Sequence, residues 1–287
     1  MDNFWKKNNR TSLIAEIGIN HGGDFNKAIE LIKMSKDAGA DYVKFQCRSP
    51  RDSTPKAMWD VPKETPWGTV EPYISYREKM EFSNEQFEMI DDYCKNLNIE
   101  WFASAWDKSS VAFLSAFDIP FIKIPSAKCD DLGLIDYACS QNSKRVIVST
   151  GMSEKADVDK IASLLNKNVG HGLFVCHSEY PVINETELDL NQIGTYREDY
   201  AGLEIGFSSH SKSPFPAIYA AVLGASMVEV HVSLDRSVKW GDNSASLEKA
   251  GVSLVSRELE RVSLLLGSGE KKLYQSELKS RLKLRGH

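Results

Sequence analysis

Short apolar runs rich in β-branched residues recur along the chain, and each is followed by a stretch in which apolar and polar positions alternate with helical spacing. The runs at 12–17, 42–46, 100–103, 121–124, 145–149, 172–176, 204–208 and 227–232 predict strands. The stretches at 26–38, 84–96, 109–116, 132–140, 155–165, 191–200, 216–223 and 249–266 predict helices. Two helices open on residues that cap free N–H groups: Ser83 ahead of Glu85 and Gln86, and Asp107 ahead of Lys108, Ser109 and Ser110. Strand and helix therefore alternate eight times, the order of an α/β protein with a parallel sheet. An open doubly wound sheet shows the same alternation, but the count of eight favours closure into a (β/α)8 TIM barrel.

The length of 287 residues suits one such barrel, so residues 1–287 read as a single catalytic domain. A chain this long buries roughly three quarters of its unfolded surface and needs no disulfide to hold its core. The pattern breaks once, at 48–81, where Pro50, Pro55, Pro62, Pro66 and Pro72 stand among Trp59, Trp67, Tyr73 and Tyr76. Because this insertion follows the second strand, it rises over the C-terminal mouth, where barrels of this kind keep their active sites. It is expected to be either a lid or substrate wall, or a packed structural loop or dimer contact. Residues 267–287 read as a C-terminal helical tail.

A net charge of -5 offers no broad positive field, which argues against nucleic acid or an anionic membrane as partner. An anion site must therefore be local. Cys47, Cys94, Cys129, Cys139 and Cys176 are odd in number and form no CxxC pair, as expected of reduced thiols in a cytoplasmic protein. The polar start MDNFWKKNNR and the lack of an apolar run of about 18 residues predict neither a signal peptide nor a spanning helix.

In a barrel the polar residues at the C-terminal ends of the strands converge on one mouth. Taken strand by strand, they are Glu16, Asn20 and His21; Lys44 and Gln46; Ser104; Lys123 and Ser126; Ser149 and Thr150; His177, Ser178 and Glu179; Ser208 and His210; and Glu229, His231 and Asp235. Any one of these is more often satisfied structurally than catalytic. Together, so many cations at strand ends are costly to bury without a charged ligand. Lys44, Lys123, Ser126 and the turn Ser149-Thr150-Gly151 supply the cations, hydroxyls and backbone N–H groups that suit a phosphate. His177 and His210, on adjacent strands, are candidates to share a divalent metal.

The segments IAEIGINHGGD at 14–24, AGADYVKFQ at 38–46, FASAWD at 102–107, FIKIPSAK at 121–128, STGMSE at 149–154, SEYP at 178–181, GFSSH at 206–210, VEVHVSLDR at 228–236 and GDNSASLE at 241–248 resemble, in order, the N-acetylneuraminate (sialic acid) synthase family. The resemblance covers about 12–266. It implies condensation of phosphoenolpyruvate with an N-acyl hexosamine or related aldose, giving a 2-keto-3-deoxy acid and phosphate with help from manganese or magnesium. It further implies that Lys44, Ser104, Lys123, Ser126 and Ser149 hold phosphoenolpyruvate and that His210 binds the metal. Glu16 then stands next to the reacting carbons to guide a proton, with Asn20, His21 and Gln46 completing that wall. Thr150, His231 and Asp242 join the substrate-binding set, and a homodimer is expected.

Departures from the family pattern bear on these expectations. A metal-binding histidine usual before the cysteine of the sixth strand is replaced by Val175, and His177, two residues on, is the candidate substitute. Lys128 stands where neuraminic acid synthases tend to carry an amino-sugar-binding glutamate, and Val230 where a lysine is typical. The family's C-terminal antifreeze-like domain has no room after Leu266, which leaves the aromatic insertion to cover the site. Two other readings remain open: a Schiff-base aldolase using Lys44 or Lys123, and a barrel that binds a phosphate or sugar without turnover.

Overall fold

The computed structural model describes residues 5–7, 10–141, 144–166 and 170–287; the polar N-terminal positions 1–4 and 8–9, part of the segment read as no signal peptide, lie outside them. Eight parallel strands close into a barrel: β1 (Ser12–Gly18), β2 (Tyr42–Cys47), β5 (Glu100–Ala105), β6 (Phe121–Ile124), β7 (Arg145–Ser149), β8 (Gly172–Cys176), β9 (Glu204–Ser209) and β10 (Met227–His231). Closure is made where β1 pairs with β10, from Ser12 opposite Met227 to Glu16 opposite His231. That pairing excludes the open doubly wound sheet. Between consecutive barrel strands lie α1 (Phe25–Asp37), α4 (Asn84–Leu97), α5 (Lys108–Ser115), α6 (Leu132–Ser140), α7 (Lys155–Leu165), α8 (Gln192–Asp199) and α9 (Phe215–Val222), and α10 (Lys249–Leu266) follows the last strand.

The caps act as their residue types require. Ser83 accepts from the Gln86 N–H while the Gln86 side chain accepts from the Ser83 N–H, and Asp107 accepts from the Ser110 N–H. Helix α10 packs Val252, Val255 and Leu259 into the core. In the tail, α11 (Gln275–Arg285) buries none of its residues.

Inside the barrel, Tyr42, Phe102 and Phe121 meet edge to face, with ring centroids 5.4–6.0 Å apart. Lys123 Nζ lies 5.2 Å from the centroid of the Phe174 ring. Apolar aromatic surface thus abuts the charged residues of the mouth and keeps water from one side of them. Gly206 on β9 makes room for Phe174: a Cβ there would lie 2.3 Å from the ring edge. Gly206→Ala is expected to lower stability by about 1–3 kcal/mol, the scale of overpacking in a filled core, read from the midpoint of urea denaturation.

The insertion carries structure of its own. It contains α2 (Pro50–Ser53), a hairpin of β3 (Pro62–Glu64) and β4 (Val70–Pro72), and α3 (Tyr73–Met80). Its two ends are tied together at the barrel rim by the buried Arg48, whose Nε lies 2.7 Å from Glu81 Oε1 and whose guanidinium covers the Trp106 ring at 4.1 Å. The Ser49 N–H donates to Asp107 Oδ2 at 2.7 Å.

Candidate active site

Alternate residues of a strand face the same way, so Glu229 and His231 on β10, Lys44 and Gln46 on β2, and Ser208 on β9 with His210 just past its end project together into one cavity. This cavity, of about 260 Å³, also takes in Glu16, Ser104, Lys123, Ser126, Ser149 and Asp242. It lies at the C-terminal ends of the strands, where active sites of the fold are found.

A network of buried charges occupies its centre. Lys44 Nζ lies 2.7 Å from Glu16 Oε2 and 3.6 Å from Glu229 Oε1, and it donates to Ser104 Oγ at 2.8 Å. Lys123 Nζ grips both oxygens of Glu229 at 2.8 and 2.9 Å, and the Ser208 hydroxyl donates to the same carboxylate at 3.1 Å. Burial pushes the Glu16 carboxyl up to about 7 against the pull of Lys44. Burial works the same way on Glu229, but Lys123 and Lys44 outweigh it and hold that carboxyl well below the usual range. Lys44 is held protonated, since Glu16 and Glu229 overcome its burial, whereas burial prevails at Lys123 and lowers its pKa. The set therefore combines two buried lysines, one ionised carboxylate and one carboxyl able to change state near neutrality.

Beside this network stand two imidazoles. The rings of His210 and His231 lie 5.2 Å apart, and Tyr180 stacks on His210 at 3.8 Å. Burial pushes His210 down to about 4 and His231 well below the ordinary histidine value, so both are neutral. His210 Nδ1 lies 2.6 Å from the backbone carbonyl of His177. A carbonyl only accepts, so the proton sits on Nδ1 and Nε2 keeps its lone pair. His231 Nδ1 is buried without a hydrogen-bond partner, 3.4 Å from Asp242 Oδ2.

Four positions expected at the site do not line this cavity. The Asn20 amide donates to the Val232 carbonyl and Ser246 Oγ, both at 2.9 Å, and its oxygen accepts from the Asp242 N–H at 2.9 Å. Asn20 thereby braces the segment that carries Asp242. His21 accepts from the Gly23 N–H at 3.0 Å and stacks on Phe82 at 4.2 Å, packed beneath the end of the insertion. Thr150 is engaged by the Phe174 carbonyl at 3.1 Å and the Tyr196 hydroxyl at 3.2 Å. The fourth position is His177, expected to share a divalent metal with His210. His177 meets His210 through its carbonyl, and its ring nitrogen lies 3.5 Å from Glu187 and 3.9 Å from Glu179. The histidine ring next to His210 is instead that of His231, because β9 and β10 are neighbours in the barrel.

Tertiary contact gives roles to residues that had none, beginning with Glu229, already among the polar strand-end residues. Glu229 joins both lysines, and its signal was its place two residues before His231 on one strand. Arg77, from α3, and Tyr180 line the cavity although both lie outside the strands. Ser149 Oγ is buried with no hydrogen-bond partner among the described residues, an acceptor and donor left for a ligand. Gln46 Nε2 donates to Glu16 Oε1 at 3.3 Å, and its amide oxygen accepts from Arg48, so the rim of the insertion is joined to Glu16.

Comparison with known proteins agrees with this geometry. The N-acetylneuraminate-9-phosphate synthase of Homo sapiens is 29% identical over 275 residues, 95% of this chain and 76% of that protein. The N,N'-diacetyllegionaminic acid synthase of Campylobacter jejuni is 29% identical over 277 residues, 94% of this chain and 82% of that protein. The crystal structure of the N-acetylneuraminic acid synthetase of Leptospira borgpetersenii superposes with a TM-score of 0.83 at 27% identity, covering 96% of this chain and 92% of that one. These relatives are acid synthases, so the expected class, an enzyme forming a carbon-carbon bond, stands. The NeuB family pattern matches residues 31–271, and the chain belongs to the NeuB family.

Proposed function

We propose that the cavity joins phosphoenolpyruvate to an N-acyl hexosamine or related aldose, releasing phosphate and a 2-keto-3-deoxy acid. The observation that carries this reading is the meeting of Lys44 and Lys123, both buried, with Ser104 and the unpartnered Ser149 hydroxyl. Buried cations beside an unsatisfied hydroxyl suit a small, highly charged anion. In the reaction the enol carbon bonds to the aldehyde carbon, water adds to the carbon bearing the phosphate, and the bond from that carbon to the phosphate oxygen breaks. Lys44, Lys123, Ser104, Ser126 and Ser149 hold the phosphoenolpyruvate. Ionised Glu16 takes one proton of the incoming water and passes it to the former aldehyde oxygen, the remaining hydroxyl proton leaves with the phosphate as the keto group forms, and Gln46 orients the Glu16 carboxylate.

A divalent cation, manganese or magnesium, fits the donor set of His210 and His231: two neutral imidazoles, one with its proton fixed on Nδ1 by a carbonyl and one with a buried nitrogen unpartnered. Bound there, it would supply Lewis-acid polarisation of the aldehyde oxygen. Asp242, with Arg77 across the cavity, takes part in holding the aldose. The Schiff-base alternative fits Lys44 poorly, since Glu16 and Glu229 keep its amine protonated.

The finer setting is also part of this reading. All five cysteines are free, as a cytoplasmic protein requires, and no described helix is long and apolar enough to cross a membrane. The exposed side chains Phe215, Tyr219 and Val222 of α9 provide apolar surface for a homodimer. Phosphate release from phosphoenolpyruvate is expected only when an aldose and manganese or magnesium are both present, and a chelator abolishes it. Release in the absence of aldose, or none with any aldose tried, would remove the synthase reading.

A further inference from the structure

Arg48 opens the insertion directly after β2 and Glu81 closes it, and the two meet as an ion pair, with Arg48 Nε 2.7 Å from Glu81 Oε1. The Arg48 N–H donates to the other oxygen of the same carboxylate at 3.2 Å. These contacts are enough to join the ends of the insertion. Arg48 nevertheless makes two more, both with residues that line the cavity: its guanidinium covers the Trp106 ring at 4.1 Å, and Nη2 donates to the Gln46 amide oxygen. The Arg48 side chain is 2% exposed, so water hardly competes for any of these contacts.

The bond to Gln46 has a direction. A carboxamide accepts at one end and donates at the other, and a guanidinium only donates, so Arg48 compels the Gln46 oxygen to face it. Gln46 Nε2 is then left to donate to Glu16 Oε1 at 3.3 Å, while Glu16 Oε2 lies 2.7 Å from Lys44 Nζ. Glu16 alone cannot fix the amide: ionised, it accepts from the nitrogen, but protonated, it can donate to the oxygen. Arg48 removes that choice, because its guanidinium keeps its charge whichever state Glu16 is in. Gly18 gives the pair its room, since a Cβ there would lie 3.1 Å from Glu16 Oε1 and 3.3 Å from Gln46 Nε2.

We propose that Arg48 is a positioning residue: by holding the Gln46 amide oxygen it keeps Gln46 Nε2 on Glu16 Oε1 through the reaction, and so makes the folded insertion a condition for a correctly aimed Glu16. Arg48 touches no reacting atom and acts only through Gln46. The inference rests on the synthase reading for the step that Glu16 serves, where a small misplacement of a base is costly in rate.

The test is a double-substitution cycle on the full chain, read by phosphate release and by the glutamine side-chain amide signals in an NMR spectrum. Arg48→Met is expected to lower kcat about tenfold, the scale of one hydrogen bond to a charged group, while KM for phosphoenolpyruvate changes by less than about twofold. Gln46→Leu lowers kcat by itself, and the double variant is no slower than Gln46→Leu, because the two residues act in series. Arg48→Lys guards against misfolding: its ammonium can stay with Glu81 but cannot also serve Gln46, so the urea midpoint recovers while kcat stays low. Losses of kcat that add in the double variant, or a kcat that recovers together with stability in Arg48→Lys, overturn the positioning role. The NMR measurement needs no turnover, and the Gln46 signal is assigned by its loss in Gln46→Leu. Its amide hydrogens should exchange slowly with water in the wild type and quickly in Arg48→Met. That contrast in a protein that releases no phosphate with any aldose keeps the link and removes the synthase reading. Phosphate release with neither kcat nor exchange responding to Arg48→Met keeps the synthase and removes the link.

Discussion

Lys123→Met is expected to lower kcat/KM for phosphoenolpyruvate by about 10²–10³-fold, the loss seen when one preorganised electrostatic contact is deleted from a closed site. The physical reason is position as well as charge. Lys123 Nζ is held at 2.8 and 2.9 Å from Glu229 and backed by the Phe174 ring, so water cannot replace it cheaply. The same substitution leaves Glu229 buried with Lys44 at 3.6 Å as its remaining ion-pair partner. Breaking a buried pair typically costs about 3–5 kcal/mol, so the variant should also unfold at lower urea. Adding Glu229→Gln separates the two effects: stability should return in part, because the uncompensated charge is gone, while activity stays low. Phosphate-release kinetics and equilibrium unfolding read these outcomes, and an unchanged kcat/KM in Lys123→Met would take Lys123 out of the substrate site.

Glu16→Gln is expected to reduce kcat by about 10²–10⁴-fold, the usual contribution of a positioned acid or base. Its pH dependence carries a definite sign. Burial raises the carboxyl to about 7, and the form that accepts a proton from water is the ionised one, so wild-type kcat/KM should rise with pH through about 7. The glutamine variant loses that limb. In stability the sign is opposite: a folded pKa above the unfolded value of 4.5 means that the native state holds the proton longer. The contribution of Glu16 is therefore most favourable below the unfolded pKa and declines from about pH 4.5 up to about 7. A profile that retains its limb near pH 7 in Glu16→Gln would place the titrating group elsewhere.

Much of this architecture is legible in one dimension. The recurrence of β-branched runs and amphipathic stretches marks every barrel strand, because a strand buried on both faces needs an apolar run and a helix on a sheet needs one apolar stripe. Ser83 and Asp107 announce their helices because capping is local. The strand-end rule picks out Glu16, Lys44, Gln46, Ser104, Lys123, Ser126, Ser149, His210 and His231, all of which line the cavity, since parallel strands end at one rim.

The remaining assignments depended on distances between strands and loops far apart in sequence. Asn20, His21 and Thr150 sit just past strand ends, as site residues do, yet each is turned to a backbone or ring partner that no local pattern specifies. His177 has the expected residue type just past the end of β8, but its carbonyl rather than its ring meets His210, and the imidazole beside His210 comes from β10. The insertion reads as a proline-rich excursion, while only folding shows that Arg48 and Glu81 tie its two ends together and that Arg77 reaches the cavity. Periodicity fixes which way a side chain leaves its own strand; what it meets is set by barrel closure and loop packing, which are properties of the whole chain.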